Sequence, residues 1–489
     1  MHQSKKILQG KKAIDTLMRG VNLVADIVKQ TLGPKGRNVV FADMYGMPTI
    51  TNDGVSIARQ VFSEDETEQL GIDIVKQSSF RTNLIAGDGT TSSIVLAQAI
   101  IKEGLQSKTH PLVLRNEINS QCAEIVQKLI DSARPISTHE EIARVATISS
   151  EDPAIGEIIA TATETIGKEG QITVQESEIN GLRVEYTSGL EIDEGYIADF
   201  MMNNERGEAI INNPYILIVD SKLSNIKDLL PILQKVADAG MNEVVLVCDG
   251  LDGNMLPTIA MNKRAKYIEG KPVMEIFAVK FPAIRKDEFV EDIALVTQGK
   301  VIGLSTGLFP DKATLQDLGR CERVVMTNKK TSFINGQGDV SEKVATLKNQ
   351  RDASEINKED YNNRIARLQG KVAVIRVGAP TEAELRYMKL KIDDAVCATK
   401  AAMEEGVVRG GGIALKTLAL DMEDGVLKNA LQSPYNQIQE NAGGHFTIAD
   451  DIVDPVKVVR YALLNAVSCA GALLTISSSI ATTRVIPEK

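Results

Sequence analysis

The sequence contains no tryptophan, and Phe and Tyr together make up only 4% of its 489 residues. Platforms that stack sugars or nucleobases are built from such rings, so their scarcity argues against those binding modules. Basic residues are also in deficit, with 55 Lys and Arg against 65 Asp and Glu and a net charge of −10. Broad nucleic-acid and anionic-membrane footprints are basic, and we therefore expect neither nucleic acid nor a membrane as a partner.

Cysteine and histidine are few and dispersed. The five cysteines are Cys122, Cys248, Cys321, Cys397 and Cys469, and no two of them form a CxxC pair. This spacing predicts free thiols in a reducing compartment and disfavours a zinc site. The chain starts without an apolar leader and contains no uninterrupted apolar run of 18 residues, so we expect a cytoplasmic protein.

The two ends of the chain differ in pattern from its centre. Apolar residues recur every three or four positions from Ala13 to Val28 and again from Thr90 to Leu105, which predicts amphipathic helices. Two short extended runs, 38–41 and 48–51, predict a hairpin. After the glycines at 410–412 the pattern favours helix to the end of the chain. The length itself indicates about three domains.

The centre alternates apolar strands with helical segments. Strands are predicted at 215–219, 244–247 and 276–279, with a helix over 225–239 between the first two. This order is typical of an α/β layer with a largely parallel sheet. Residues 339–369 are charged and predict one or two solvated helices. A centre inserted into a domain built from both termini would account for the whole pattern.

Several short motifs could carry chemistry. Gly87-Asp88-Gly89-Thr90-Thr91 precedes a helix, where backbone N–H groups and the helix dipole favour an anion and the carboxylate can hold Mg²⁺. Alone, it could equally be a capping turn. The motifs at 31–36, 51–54 and 410–412 could be a helix cap, a turn and a loop, and Asp394 a solvated side chain. Neither a P-loop nor a Rossmann fingerprint is present in the sequence.

Together these motifs closely resemble the GroEL-type, or group I, chaperonins. The segments that carry the resemblance, in the family's order, are TLGPKGRNVV (31–40), PTITNDGVSIAR (48–59), AGDGTTSSIVLAQAII (86–101), GKEGQITVQES (167–177), ATLQDLG (313–319), ATKAAMEEGVVRGGGIAL (398–415) and DPVKVVRYALLNAVSCAG (454–471). They span essentially the whole chain.

The resemblance implies a multidomain chaperonin fold. A mainly helical equatorial ATP-binding domain would comprise 1–134 and 405–489. A small α/β intermediate hinge domain would comprise 135–187 and 372–404. An inserted α/β apical domain that binds polypeptide would comprise 188–371.

The resemblance also implies an ATPase site with ATP and Mg²⁺ as cofactors, and it allows K⁺ as a third. Asp394 would position the attacking water with Asp53 beside it, and Asp88 would bind the metal. The nucleotide-binding residues would be Thr31, Leu32, Gly33, Pro34, Asp88, Gly89, Thr90, Thr91, Ser92, Gly411 and Asp454. In phosphoryl transfer, positioning and charge stabilisation of this kind supply most of the rate.

Unfolded polypeptides are the implied partners, captured on an apolar apical surface inside a homo-oligomeric ring of seven subunits. The matching positions are Tyr196, Phe200, Met201, Leu230, Leu233, Leu256, Ala260 and Met261. Leu and Met suit promiscuous binding because they repack easily. Leu230 and Leu233 lie on an amphipathic segment and could instead belong to the core.

The chain also departs from the family pattern. Gly412 and Asp454 are only 42 positions apart, and the segment from Leu105 to Pro111 is short as well. Both regions supply contacts between stacked rings in the family, which predicts a single ring or a weak double ring. In the family, the region that matches the segment between Gly412 and Asp454 also normally carries a contact to adenine. Tyr267 to Val273 has the pattern of an added hairpin.

These departures indicate a divergent member, with a phage or a reduced genome as alternative sources. A phage-encoded protein would act in the host cytoplasm. The need for a co-chaperonin stays open. The shortened loops leave an alternative function, a ring-forming holdase or scaffold with little ATP turnover.

Overall fold

The computed structural model describes residues 5–42, 48–167, 171–204, 207–265, 267–268, 271–272, 274–282, 284–353 and 358–482. The chain forms two compact units. We call Met1–Lys168, Thr173–Val184 and Ile375–Lys489 the terminal unit, and Glu169–Ile172 with Glu185–Val374 the central unit. The predicted apical span lies inside the central unit. The further division of the terminal unit into equatorial and intermediate domains stays a prediction.

The first part of the terminal unit is mainly helical. Its elements are β1 (Lys5–Gln9), α1 (Gly10–Val28), β2 (Val39–Ala42), β3 (Pro48–Thr51), α2 (Gly54–Gln60), α3 (Glu66–Ala86), α4 (Thr90–Gln106), α5 (Pro111–Asp131), α6 (His139–Ser150) and α7 (Pro153–Ile166). The periodic residues from Ala13 to Val28 are buried along α1, which confirms the predicted helix. Strands β2 and β3 pair antiparallel, so the hairpin is confirmed for its two described strands, and its tip lies outside the described residues.

The central unit follows, and the first two strands and the last strand of this part of the chain have residues in both units. The elements are β4 (Gln171–Glu176), β5 (Gly181–Ile192), β6 (Ala209–Asn212), β7 (Tyr215–Val219), β8 (Lys222–Leu223), α8 (Leu230–Asp238), β9 (Glu243–Cys248), β10 (Gly250–Leu251), α9 (Met255–Ala265), β11 (Tyr267–Ile268), β12 (Lys271–Pro272), β13 (Glu275–Lys280), α10 (Lys286–Thr297), β14 (Val301–Ile302), β15 (Gly319–Met326), β16 (Thr331–Gly336), α11 (Ser341–Ala353), α12 (Lys358–Leu368) and β17 (Lys371–Gly378). The short strands β11 and β12 pair antiparallel, as the predicted added hairpin requires.

The central sheet is mixed rather than largely parallel. Strands β13, β9, β7 and β14 are parallel neighbours, as the alternating pattern predicted. Strands β6, β15, β16 and β5 add antiparallel pairs that the sequence analysis did not foresee. Phe277 and Phe333 fill the core around this sheet. The predicted helix over 225–239 is also shorter, because a 3₁₀ turn at Ile226–Asp228 precedes α8 and Pro231 stands in the first turn of that helix.

The chain then returns to the terminal unit. The remaining elements are α13 (Glu382–Glu405), β18 (Val407–Arg409), α14 (Ile413–Leu420), α15 (Val426–Leu431), α16 (Ser433–Asn441), β19 (Val453–Pro455), α17 (Val456–Leu474) and β20 (Ser478–Thr482). The Thr381 hydroxyl accepts a hydrogen bond from the Glu384 amide and caps α13, as predicted. The expectation of helix from the triple glycine to the end is wrong, because β18 pairs with β19 and β20 pairs with β1.

Helix α17 organises the core of the terminal unit. Its residues Leu463, Val467 and Leu473 are buried in the same cluster as residues of α3, α4 and α5. By length and composition this is the one helix among the described residues that could cross a membrane, and 56% of its apolar stretch is buried inside the protein. Burial of this kind is typical of a core helix.

Candidate functional site

The Gly87–Thr91 loop joins α3 to α4 through two left-handed glycines. Gly87 has φ +69° and Gly89 has φ +79°, a region that side chains with Cβ rarely adopt. A Cβ at Gly87 would also lie 2.4 Å from Cβ of Cys397, because α13 packs directly on the loop. Asp88 sits between the two glycines. It accepts hydrogen bonds from the Gly89 amide and, at 3.3 Å, from the Ser149 hydroxyl.

Asp53 is tied to the same loop from the start of α2. Its carboxylate caps that helix by accepting hydrogen bonds from the amides of Val55 (3.2 Å) and Ser56 (3.0 Å). It also accepts one from the hydroxyl of Thr90 at 3.3 Å. The two motifs that sequence analysis treated separately, at 51–54 and 87–91, are therefore one structural unit.

Asp454 lies opposite a third glycine cluster, on the pair β18–β19. It accepts a hydrogen bond from the Gly411 amide at 3.0 Å, and Gly411 and Gly412 both have positive φ. Burial is the main cause that raises the pKa of Asp454 to about 6, and the charge of Asp88 adds to it. Burial likewise raises the pKa of Asp88, with a further contribution from the charge of Asp53. These carboxylates therefore influence one another electrostatically.

A cavity of about 760 Å³ in the terminal unit joins these elements. The predicted nucleotide-binding residues that line it are Leu32, Gly33, Pro34, Asp88, Gly89, Ser92, Gly411 and Asp454. The other three support the lining. Thr31 is buried and its hydroxyl donates to the Val28 carbonyl. Thr90 bonds Asp53, and Thr91 packs against Gly54, where a Cβ would lie 2.5 Å from its hydroxyl oxygen.

The opposite wall of the cavity is apolar and comes from the shortened segment before Asp454. Ile438, Phe446, Ile448 and Ile452 line it. The amide side chain of Gln439 holds this wall by donating to the Phe446 carbonyl (2.8 Å) and accepting from the Phe446 amide (2.6 Å). Sequence analysis missed these residues, since no motif marks them. The short segment therefore still contributes apolar residues to the lining of the cavity.

Asp394 lies on α13 and is partly buried. Cys397, which packs against Gly87, is one helical turn further along the same helix. The structure thus brings the helix of Asp394 to the Gly87–Thr91 loop. On the same helix Lys391 bonds Glu151, which itself lines the cavity; sequence analysis singled out neither residue.

The carboxylate at Asp88 fits a magnesium ion that arrives with a nucleotide. Mg²⁺ is held by one or two carboxylates together with substrate phosphates and water rather than by an all-protein cage. Within the described part of the chain no three His, Cys, Asp or Glu side chains form a metal-binding group. The carboxylate oxygens of the partly buried Asp88, beside the glycine amides that can bind phosphate, match the arrangement with one or two carboxylates.

The eight predicted polypeptide-binding residues do not share one environment. Leu230 is 51% exposed and Met261 is 71% exposed, while Phe200, Leu256 and Ala260 are partly buried. Tyr196, Met201 and Leu233 are buried in the core of the central unit, so the expectation that they form a binding surface is corrected. Burial of one residue and exposure of another on the same helix follows from the amphipathic pattern of α8. Leu304 and Ile284 are exposed apolar residues that the sequence analysis missed.

Comparisons with known proteins agree on one family. The model of the TCP-1/cpn60 chaperonin family matches residues 24–445. Two crystal structures of the chaperonin gp146 from the Pseudomonas aeruginosa bacteriophage EL 2, both determined in the presence of ATP-BeFx, share this fold. Crystal form II has a TM-score of 0.61 at 17% identity and covers 96% of this chain and 98% of that one. Crystal form I has a TM-score of 0.60 at 17% identity and covers 99% of each chain. Since the family model spans well over half of the sequence, the chain belongs to the TCP-1/cpn60 chaperonin family.

Proposed function

We propose that the protein is an ATP-driven chaperonin, which binds Mg·ATP in the cavity of the terminal unit and hydrolyses it to drive the folding of captured polypeptides. The observation that carries this proposal is the meeting of Asp88, Asp454 and the glycine backbones of three separate motifs around one cavity of about 760 Å³. A nucleotide needs this combination of backbone amides for phosphate and an apolar wall for the base.

Each part of the cavity has a role in the proposed reaction. The Gly87–Thr91 loop and Leu32–Pro34 would hold the phosphates, and the wall of Phe446 and Ile448 would cover the base. Bound Mg²⁺ would offset the negative charge of the phosphates, with Asp88 as its protein ligand. Asp394 would orient the attacking water, with Asp53 fixed beside the loop by its helix-capping bonds. These roles for Asp394 and Asp53 rest on the family resemblance.

Clients would bind to the central unit through its exposed apolar residues. Leu230 on α8 and Met261 on α9 are the two predicted positions that present most of their surface to solvent. Flexible, apolar side chains of this kind accept many partners. The partners we propose are non-native polypeptides. A co-chaperonin that competes for the same residues is compatible with this surface.

Assembly into a homo-oligomeric ring in the cytoplasm completes the proposal. Two of the two-stranded sheets in the terminal unit carry exposed apolar pairs, Ile7 opposite Ile480 and Val40 opposite Ile50. Paired strands with open edges and apolar faces favour addition of strands from a neighbouring subunit. Seven subunits per ring is the number that the resemblance implies.

Steady-state ATPase measurements on three variants test the proposed site. We expect Asp394→Ala to lower kcat by about 10²-fold or more with nucleotide binding retained, since general-base contributions are of this size. Asp88→Ala should instead weaken binding of ATP in the presence of Mg²⁺.

The matched control is Glu382→Ala, an exposed carboxylate at the start of the same helix as Asp394. Glu382→Ala should leave both kcat and the affinity for Mg·ATP unchanged. Wild-type kcat in Asp394→Ala, or unchanged Mg·ATP affinity in Asp88→Ala, would show that the site is assigned wrongly.

A further inference from the structure

A lysine ammonium is buried next to the carboxylates of the cavity. The Lys391 side chain on α13 is only 8% exposed, and its Nζ lies 2.6 Å from Oε1 of Glu151. Taking an ammonium out of water is costly unless a carboxylate and hydrogen bonds compensate it. Glu151 is the compensating partner and is itself 51% exposed. Loss of Glu151 would therefore leave the buried ammonium of Lys391 without its carboxylate partner.

The backbone at Glu151 is left-handed. Glu151 ends α6 and has φ +59°, in the left-handed region that residues with a Cβ rarely occupy. Such a conformation persists only where surrounding contacts stabilise it. The same Oε1 atom accepts a second hydrogen bond, from the side-chain amide of Asn52 at 3.2 Å. Glu151 thus joins two otherwise separate segments.

The members of this network are each next to a residue of the proposed reaction. Asn52 precedes Asp53 directly, and Lys391 lies one turn before Asp394 on α13. Ser149, two residues before Glu151, donates its hydroxyl to Asp88. The charge of Lys391 also lowers the pKa of Asp88, against the larger effect of burial. The three segments that carry Asp53, Asp88 and Asp394 are therefore linked through the Lys391–Glu151 pair and its neighbour Ser149.

We propose that Lys391, held by Glu151, is a positioning residue for ATP hydrolysis, which fixes α13 so that Asp394 is aligned with Asp53 and Asp88. The proposal rests on the proposed ATPase function. The proposal predicts a change in the rate of hydrolysis and not in nucleotide affinity, because the cavity lining that would hold the nucleotide does not include Lys391. Misplacement of a catalytic group by about 1 Å can cost about 10²-fold in rate.

Kinetic variants test the proposal. Lys391→Met should lower kcat by about tenfold or more, with the dissociation constant of ATP, measured by calorimetry, changed less than threefold. Glu151→Gln should lower kcat in the same direction by a smaller factor, since the amide keeps the shape and loses the charge. Lys391→Arg should keep most of the wild-type kcat, because arginine also carries a positive charge at the end of a long side chain.

The matched control is Lys389→Met. Lys389 lies on the same helix and pairs with Glu176 at 2.7 Å, yet both side chains are more than a third exposed. Removing that pair should leave kcat within twofold of the wild type. A wild-type kcat in Lys391→Met, or an equal loss in Lys389→Met, overturns the proposal.

Hydrogen exchange on the nucleotide-free protein separates this proposal from the proposed function. Amides of residues 382–405 should exchange faster in Lys391→Met and Glu151→Gln than in the wild type or Lys389→Met. Unchanged exchange in both variants overturns the positioning role, whatever the ATPase shows. If the wild type does not hydrolyse ATP, the proposed function fails, and faster exchange would still show that the Lys391–Glu151 pair fixes α13.

Discussion

Asp88 and Asp454 hold their carboxylates in a setting that disfavours negative charge. Both have pKa values raised chiefly by burial, and the charge of Asp88 contributes to the raised pKa of Asp454. A protein optimised for stability alone would not place two such groups at one cavity. Sites that trade stability for function concentrate groups of this kind. The stability cost should therefore be measurable in the ligand-free protein.

Asp454→Asn should stabilise the nucleotide-free protein at neutral pH and not in acid. The folded-state pKa of Asp454 is about 6, above the value of 3.8 for an ordinary aspartate. The folded state therefore binds the proton more tightly, and ionisation costs stability as pH rises from about 4 to 6. An asparagine avoids that cost and keeps an acceptor for the Gly411 amide. We expect a gain on the order of 1–3 kcal/mol at pH 7.5 that disappears near pH 4.

Urea denaturation of the metal-free and nucleotide-free variant at several pH values measures this difference. The stabilised variant should bind ATP no better than the wild type, since Asp454 is one of the proposed nucleotide-binding residues that line the cavity. An equal or lower stability of Asp454→Asn at pH 7.5, or a gain that persists unchanged at pH 4, would contradict the assignment of the raised pKa to this group.

At the scale of the element, α8 carries a buried apolar residue and an exposed one, for which we propose a binding role, within one helical turn. Leu233 is 6% exposed and packs in the central core, whereas Leu230 is 51% exposed. A charge introduced at Leu233 would be buried without a partner, whereas a charge introduced at Leu230 would stay in water. A charged substitution at Leu233 should therefore destabilise the fold, and one at Leu230 should leave the fold intact.

Leu230→Glu should keep the fold and lose most capture of a denatured client protein. Leu233→Glu should destabilise or unfold the central unit, at a cost of several kcal/mol. Circular dichroism and thermal denaturation distinguish the two, and co-sedimentation with a denatured client measures capture. The matched control for capture is Lys227→Glu, a charge change on the turn before α8. Undiminished capture by a folded Leu230→Glu variant would move the binding surface away from α8.

Elements with strong local signals could be predicted from sequence. The apolar repeat of α1, the hairpin β2–β3 and the parallel strands β7, β9 and β13 follow from periodicity, and the structure confirms them. The antiparallel pairs β6–β15, β5–β16 and β18–β19 could not, because their partners are distant in sequence and hydrogen bonding between strands leaves no local pattern.

The residues of the candidate site likewise fall into two groups, those with a local sequence signal and those that only tertiary packing brings to the site. Its glycines and acids could be found because left-handed turns and anion sites demand particular residue types. The apolar wall of Phe446 and Ile448 and the Lys391–Glu151 pair depend only on tertiary packing, so nothing in the sequence marks them. The burial of Tyr196, Met201 and Leu233 also depends on packing, which explains why resemblance alone misassigned them.

At the scale of the whole molecule, the proposed ring assembly would need two kinds of contact, within a ring and between rings. The exposed pairs Ile7–Ile480 and Val40–Ile50, which lie on two-stranded sheets, are the surfaces we propose for contacts within a ring. Contacts between rings are expected from the regions that are short in this chain. The connection between α4 and α5 is only Ser107–His110. Residues of the segment before Asp454 line the cavity.

The last prediction is that the working particle is a single ring, or a double ring that separates at sub-micromolar subunit concentration. Interfaces below about 1,000 Å² rarely hold a stable complex, and loss of both ring-to-ring regions brings the contact towards that limit. Leu112 and Val113 at the start of α5 are exposed apolar residues directly after one of these regions, and a second ring would have to cover them. Analytical ultracentrifugation with and without ATP, together with particle images, measures the ring state. Leu112→Glu should convert any weak double ring to single rings and leave a single ring unchanged. A wild-type double ring that stays intact at sub-micromolar concentration in both conditions would refute the prediction.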